Sequence, residues 1–259
     1  MLDPEIMPNA SKFAERAVNF KNNYSGGNGT RQGVFSMFYS LYGNYWDTFL
    51  KNRRGPAFID WLVEDRYNFK CITSAKFSYP EFDQTVFCRI PSESLYSDDK
   101  GLTYTRDQRN VKLLTEFIRS ADRSRPFMAF MFFESSCTSL VIRIPGVKPQ
   151  VHTGMSSHLD VVPTLAPHFG VTNPPADFSL GFNLLDPAQK RTCTIIADWS
   201  QVVYASAKYK TILPSNSLTF ATQKLTDGED NPLSSLDSFY KENQAELFQI
   251  QRDLIRFVK

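Results

Sequence analysis

Apolar positions first fall at helical spacing between Asn9 and Phe20, where Phe13, Ala14, Ala17 and Val18 share one face behind Pro8. This predicts a helix over Asn9–Phe20. After a turn at Gly26–Gly29, Val34, Met37, Phe38 and Leu41 trace a second helix, with Phe35 and Tyr42 alongside. It is apolar nearly all round and reads as buried. Gly55-Pro56 opens a third helix, expected to bury Phe58, Trp61 and Leu62. Phe69–Ala75 then reads as a strand. Asp107 stands where it can cap a helix carrying Val111, Leu114, Phe117 and Ile118, and Phe127–Phe133 follows as a run expected to form a fully buried strand. "SLVIRIPG" reads as a strand, and "SSHLDVVPTLAPHFG" as a turn plus helix capped by Ser157 or Asp160, with Pro163 in its first turn.

"TCTIIADWS", short strands near Val202 and Lys210–Leu213, and an amphipathic helix over Ser238–Phe257 complete the pattern. Leu247, Ile250, Leu254 and Phe257 line one face of that helix, and Asp227–Leu236 is the most loop-like stretch. Helices alternating with apolar strands predict an α/β layered fold whose sheet is covered on both sides. A single domain over residues 1–259 with a small strand-rich C-terminal part is expected.

Composition adds limits. The 22 phenylalanines among 259 residues point to a thick aromatic core, and the apolar fraction excludes wholesale disorder. A net charge of +2 is too small to argue for nucleic acid or a polybasic membrane surface, so no nucleic-acid partner is expected. Phe127–Phe133 falls far short of the ~20 residues a membrane helix needs. "MLDPEIMPN" is acidic and carries prolines, unlike a signal peptide, so the chain taken alone reads as soluble. Cys71, Cys88, Cys137 and Cys193 lack CxxC spacing, which argues against a zinc site or a thioredoxin motif. Cys71 and Cys88 are either a pair formed in an oxidising compartment or two buried thiols.

The densest candidate chemistry is in "NYSGGNGTRQG". A small-residue turn running into a helix leaves backbone N–H groups facing outward, where the helix dipole favours an anion. Thr30 at this junction is either a helix cap or a hydroxyl nucleophile activated by a metal or base, and Arg31 beside it suits a phosphate or sulfate oxygen. His152, His158 and His168 show neither HxxxH nor HExxH spacing; His158 and Asp160 read as capping residues. Glu81, Asp83 and Glu134 are carboxylates able to ligate a hard cation, and Glu134 follows an apolar strand. No GxSxG elbow, Walker loop or GxGxxG is present.

Taken together, "MPNASKFAERAVNFKNNYSGGNGTRQGVFSMFYSLYGNYW", "GPAFIDWLVEDRYNF", "TSAKFSYPEFDQTVF", "RPFMAFMFFES" and "SSHLDVVPTLAPHFGV" resemble the sulfatase-like periplasmic domain of bacterial inner-membrane proteins, within the alkaline phosphatase superfamily. The relatives of that domain include lipoteichoic-acid synthases, phosphoethanolamine transferases and a group linked to cardiolipin and lipopolysaccharide control. The resemblance implies a mixed, mainly parallel sheet between helical layers. It also implies hydrolysis or transfer of phosphoric or sulfuric esters, with a divalent metal (Mn, Zn or Mg) in active members. Thr30 then stands at the nucleophile position and as a metal ligand, with Asn28 and Arg31 as substrate contacts.

The resemblance likewise leads us to expect an incomplete fold. The family's acidic ligand at the end of a first strand would precede "MLDPEIMPN". An Asp-His metal loop would lie between "FFES" and "LVIRIPG", so a seam is expected at 136–140, with Cys137 where relatives often carry histidine. The resemblance implies a place on the periplasmic face of a bacterial inner membrane and an envelope lipid or membrane protein as partner. Two functions follow from it: an ester hydrolase or transferase, and a catalytically degenerate lipid-binding or regulatory domain.

Overall fold

The computed structural model describes residues 3–133, 140–199, 201–214 and 224–258. In chain order its elements are α1 (Pro8–Ala14), β1 (Val18–Tyr24), α2 (Thr30–Tyr39), α3 (Trp46–Lys51), α4 (Ala57–Glu64), β2 (Asn68–Thr73), β3 (Leu95–Ser97), α5 (Thr103–Ser120), β4 (Phe127–Phe132), β5 (Leu140–Ile142), β6 (Gln150–Ser157), α6 (Val161–Leu165), β7 (Cys193–Ala197), β8 (Gln201–Ser206), β9 (Tyr209–Pro214), β10 (Leu225–Asp227) and α7 (Leu236–Asp253). This is the mixed α/β architecture the alternating pattern implies. Two compact units result: Met1–Asp47 with Thr138–Lys259, and Thr48–Cys137. The expected seam at 136–140 falls almost wholly outside the described residues, as do Glu134 and Cys137.

In the first unit β1 lies between β5, antiparallel, and β6, parallel. The expected helix over Asn9–Phe20 is thereby corrected. The helix stops at Ala14, buries no residue, and Val18–Phe20 begin β1 instead. Val18 and Phe20 are buried with Asn19 between them, the period-2 pattern of a strand. Ladder partners on both sides, Val18 facing Ile142 and Gln150, outweigh the local helical spacing.

α2 is buried almost throughout, as its apolar pattern requires. A second sheet in this unit, β10-β9-β8-β7, is antiparallel and receives α7. Phe239, Leu247 and Ile250 are the residues α7 buries, and Phe239 meets Tyr204 and Tyr209 edge-on. Leu254, placed on the buried face by sequence, is only half-buried, and the helix ends before Phe257. Tyr45 fastens this end: its hydroxyl donates to the Asp253 carbonyl and accepts from the Phe257 N–H at 3.3 Å.

In the second unit β2 is flanked by β3 and β4, all parallel. Among the described residues of this unit β4 has one ladder partner, β2, and each of its residues is half-buried, which corrects the fully buried strand read from "FMAFMFF". An apolar run alone does not separate a central strand from an edge one. In α4 the buried residues are Ile59 and Leu62, whereas Phe58 and Trp61 are half-buried. Asp107 is not a cap: it lies within α5, buried, and accepts from the Ser74 hydroxyl just past β2. Asn110 donates to the same hydroxyl at 3.0 Å, and Arg106 donates to the Ser74 carbonyl at 2.8 Å, so polar groups tie α5 to the end of β2. Cys71, Cys88 and Cys193 are free thiols, which sets aside the Cys71–Cys88 pair.

Candidate functional site

The glycine-rich turn before α2 is stitched to the carboxyl end of β7. Ala197 N–H donates to the Gly26 carbonyl at 3.0 Å, and Asn28 N–H donates to the Ala197 carbonyl at 2.9 Å. The Ser25 hydroxyl donates to the Gly27 carbonyl at 2.8 Å, rounding the turn. Glycine is required at 27 because a Cβ there would stand 2.6 Å from the Gln32 carbonyl carbon and the Gly33 nitrogen. Backbone atoms of a buried helix cannot give way cheaply. Gly27→Ala is expected to lower stability by about 1–3 kcal/mol and to displace the turn; a urea titration beside the wild type measures it.

Thr30 is not the cap of α2. Gly29 occupies that place, with extended dihedrals, and Thr30 is the first helical residue. Thr30 is exposed, at the positive end of a ten-residue helix. Asn28 is also exposed, its amide 3.4 Å from an Asp198 carboxylate oxygen. The Arg31 guanidinium lies 4.4 Å from the Trp199 ring centre and 5.4 Å from that of Trp46. The three residues singled out in the sequence therefore sit on one turn. Beside it opens a cleft of about 260 Å³ lined by Gln32, Asn44, Trp46, Asp47, Asp198 and Trp199. Sequence reading missed these six. The available signal was "ADWS" at the end of an apolar strand, where α/β ligands gather.

The "SSHLDVVPTL" element is a support for α2. Ser157 caps it, and the Asp160 side chain answers by accepting from the Ser157 N–H at 2.8 Å, a reciprocal capping box. Asp160 is wholly buried, and also accepts from Phe182 N–H and from Arg191 Nε, each at 2.8 Å. His158 Nδ1 lies 3.2 Å from the Gly33 carbonyl of α2. Burial holds His158 below the usual histidine range, with the Gly33 contact opposing weakly. A lowered folded value means the unfolded chain binds the proton more readily. His158 therefore contributes stability fully present above the unfolded value of about 6.5 and lost as pH falls toward the folded one. Melts from pH 7.5 to 5 are expected to show this loss, and His158→Asn to flatten it.

Among the described residues no group of three or more His, Cys, Asp or Glu is placed to hold a metal ion. Glu81 and Asp83 lie in the second unit and join no such group among the described residues, and His152 packs on Phe20. Among the described residues no helix is long and apolar enough to cross a membrane.

The family model described as Sulfatase matches residues 2–139, just over half of the chain and including the whole Thr30 turn. The chain belongs to the sulfatase family. Among curated relatives, this sulfatase-family chain is 29% identical over 127 residues to an uncharacterised Haemophilus influenzae protein, covering 49% of the chain and 21% of that protein. It is 31% identical over 94 residues to the inner membrane protein YejM of Salmonella typhimurium, covering 36% of the chain and 16% of YejM. The matched stretches thus span about a fifth or less of these relatives' lengths.

Solved folds agree at low identity. A Vibrio parahaemolyticus protein of the alkaline phosphatase superfamily superposes with a TM-score of 0.58 at 13% identity, covering 95% of this chain and 81% of that one. The phosphonate monoester hydrolase of Silicibacter pomeroyi gives 0.58 at 11% identity, covering 96% and 89%. That of Agrobacterium radiobacter gives 0.60 at 10%, covering 95% and 90%. The fold is that of the alkaline phosphatase and sulfatase superfamily.

Proposed function

We propose that this sulfatase-family chain engages a phosphoric or sulfuric ester of the bacterial envelope at the start of α2, with Thr30 as nucleophile and Asn28 and Arg31 as contacts to the anion. The observation that carries the reading is the position of Thr30: an exposed hydroxyl on the first residue of a buried helix, directly after a glycine turn. Helix polarity suits the anion, and Arg31 adds a fixed positive charge within the adjacent residue. In the reaction the Thr30 oxygen bonds to phosphorus or sulfur as it gives up its hydroxyl proton, the bond to the ester oxygen breaks and the alcohol leaves carrying a proton. Water or an acceptor alcohol then displaces the Thr30 oxygen, which is reprotonated.

Sulfatase-superfamily relatives are in general metal-dependent, and a divalent ion would lower the hydroxyl pKa. The described residues do not fit such an ion, having no three-ligand group, so no step is routed through one. The test is turnover of an aryl phosphate, an aryl sulfate and a phospholipid donor, each with and without Mn²⁺ or Zn²⁺. Product release above the buffer rate supports the ester chemistry, and its absence with every substrate and metal counts against it.

That missing ligand group favours a second reading, in which the domain retains an envelope lipid without cleaving it. The likeness to YejM, an inner membrane protein by name, supports an inner-membrane setting, and we read such a lipid as lying at its periplasmic face under either reading. Co-sedimentation with cardiolipin or lipopolysaccharide vesicles in the absence of turnover is the outcome this reading expects. No retention on either vesicle eliminates it.

A further inference from the structure

A second cavity, of about 400 Å³, opens in the first unit between the 174–182 segment and the end of α7. It shares no lining residue with the cleft at the Thr30 turn. Part of its wall is apolar, formed by Pro174, Pro175, Leu180 and Phe182. Phe182 is 37% exposed, so a ring edge is open to a ligand, and the two prolines, with φ fixed, make the wall stiff. The end of α7 and the residues just beyond it add a different chemistry: Gln249, Asp253 and Arg256.

The two charges do not satisfy each other. Asp253 and Arg256 stand three residues apart, yet among the described residues no ion pair joins them. Asp253 is half-buried, and its Oδ1 accepts from the Gln249 amide at 2.8 Å. Burial raises the Asp253 carboxyl above the usual range, outweighing the Gln249 bond and the pull of Arg256 and Arg252. A carboxylate in that position gains from a cation brought close to it. It also stands at the last residue of α7, the end where the helix dipole favours positive charge. Arg252 is turned to Gln249, donating to its amide oxygen at 2.9 Å. The Arg256 guanidinium donates to the Ala176 carbonyl through one nitrogen, which leaves donors for a carboxylate.

A simple cation would meet the Arg256 charge, and a simple anion would meet Asp253 and the negative end of α7. A zwitterion with an apolar part answers both charges and the apolar wall. The volume lies within the ~300–1,000 Å³ usual for small-ligand sites. We propose that this cavity binds a small zwitterion of the α-amino-acid class, its ammonium on Asp253, its carboxylate on Arg256 and its apolar side chain against Pro175, Leu180 and Phe182. The inference does not rest on ester chemistry at Thr30.

The test is calorimetric titration of the full chain with L-leucine and L-phenylalanine, alongside thermal melts at rising ligand concentration. Saturable binding of at least one of them is expected, with a Tm that climbs as its concentration is raised. L-Leucinamide lacks the carboxylate and 4-methylpentanoate lacks the ammonium, so each should bind at least about tenfold more weakly than leucine. Asp253→Asn and Arg256→Gln should each weaken leucine binding by about tenfold as well. Tyr45 bonds the backbone carbonyl of Asp253 and not its carboxylate, so Asp253→Asn keeps that link. A melt of each variant checks folding, and the analogue comparison on the unaltered chain decides the matter without any variant. No saturable binding of either amino acid overturns the inference. So does leucinamide or 4-methylpentanoate binding as tightly as leucine, or leucine binding that both variants leave unchanged.

Discussion

Asp160→Ala is expected to lower the unfolding free energy by about 3–5 kcal/mol, the range for breaking a buried ion pair from one side. The Asp160 carboxylate is fully buried and the Arg191 side chain is 5% exposed, so neither partner is rescued by water. Removal of the carboxylate strands a buried guanidinium against the Phe182 ring, 4.7 Å away. It also orphans the N–H groups of Ser157 and Phe182 that Asp160 accepts. Two segments lose their anchor at once: the start of the 158–160 turn, which carries His158 against α2, and the loop at Phe182. The cost of each stranded group is the desolvation it can no longer offset. Urea titration of the variant checks the magnitude. A loss below about 1 kcal/mol would mean that water reaches this pair. Arg191→Met combined with Asp160→Leu is expected to recover part of the loss, since neither charge is then left alone.

Thr30→Ala carries the largest expected effect on activity. With the proposed nucleophile gone, turnover of any ester the wild type accepts should fall by about 10³-fold or more. Stability should change by no more than about 0.5 kcal/mol, because the side chain is exposed and Gly29, not Thr30, caps the helix. Thr30→Ser keeps the hydroxyl and should retain measurable turnover. The contrast between the two variants separates nucleophilic chemistry from a structural role, which a serine and an alanine at an exposed helix start would serve almost equally. Equal turnover in Thr30→Ala and wild type contradicts the assignment.

Much of this organisation was legible in the sequence, for identifiable reasons. α2 was readable because its apolar residues wrap nearly the whole helix, and "SSHLDVVPTL" because its capping residues act within one turn. β1 was not, since Phe13, Ala14, Ala17 and Val18 satisfy a helical period locally. What decides the matter is pairing with residues 140–142 and 150–157, more than a hundred positions away. Asp107 failed for a related reason: a carboxylate near a helix start reads as a cap, but its partner is the Ser74 hydroxyl across the unit. That Thr30, Asn28 and Arg31 share one turn was visible because they adjoin the glycine run. Asp198 and Trp199 come from about 170 residues downstream and reach the turn only through the bonds between Ala197 and residues 26 and 28. Strand pairing and side-chain bonds between segments distant in sequence, which leave no local periodic trace, account for these misses.

The most direct test of the central claim is trapping on Thr30 itself. The chain is incubated with excess aryl phosphate or aryl sulfate and divalent metal, quenched in acid and mapped by peptide mass spectrometry. The account predicts a phosphoryl or sulfuryl group on the peptide carrying Thr30, absent from Thr30→Ala. Product formation at the wild-type rate by Thr30→Ala, with that peptide unmodified in both proteins, would contradict it.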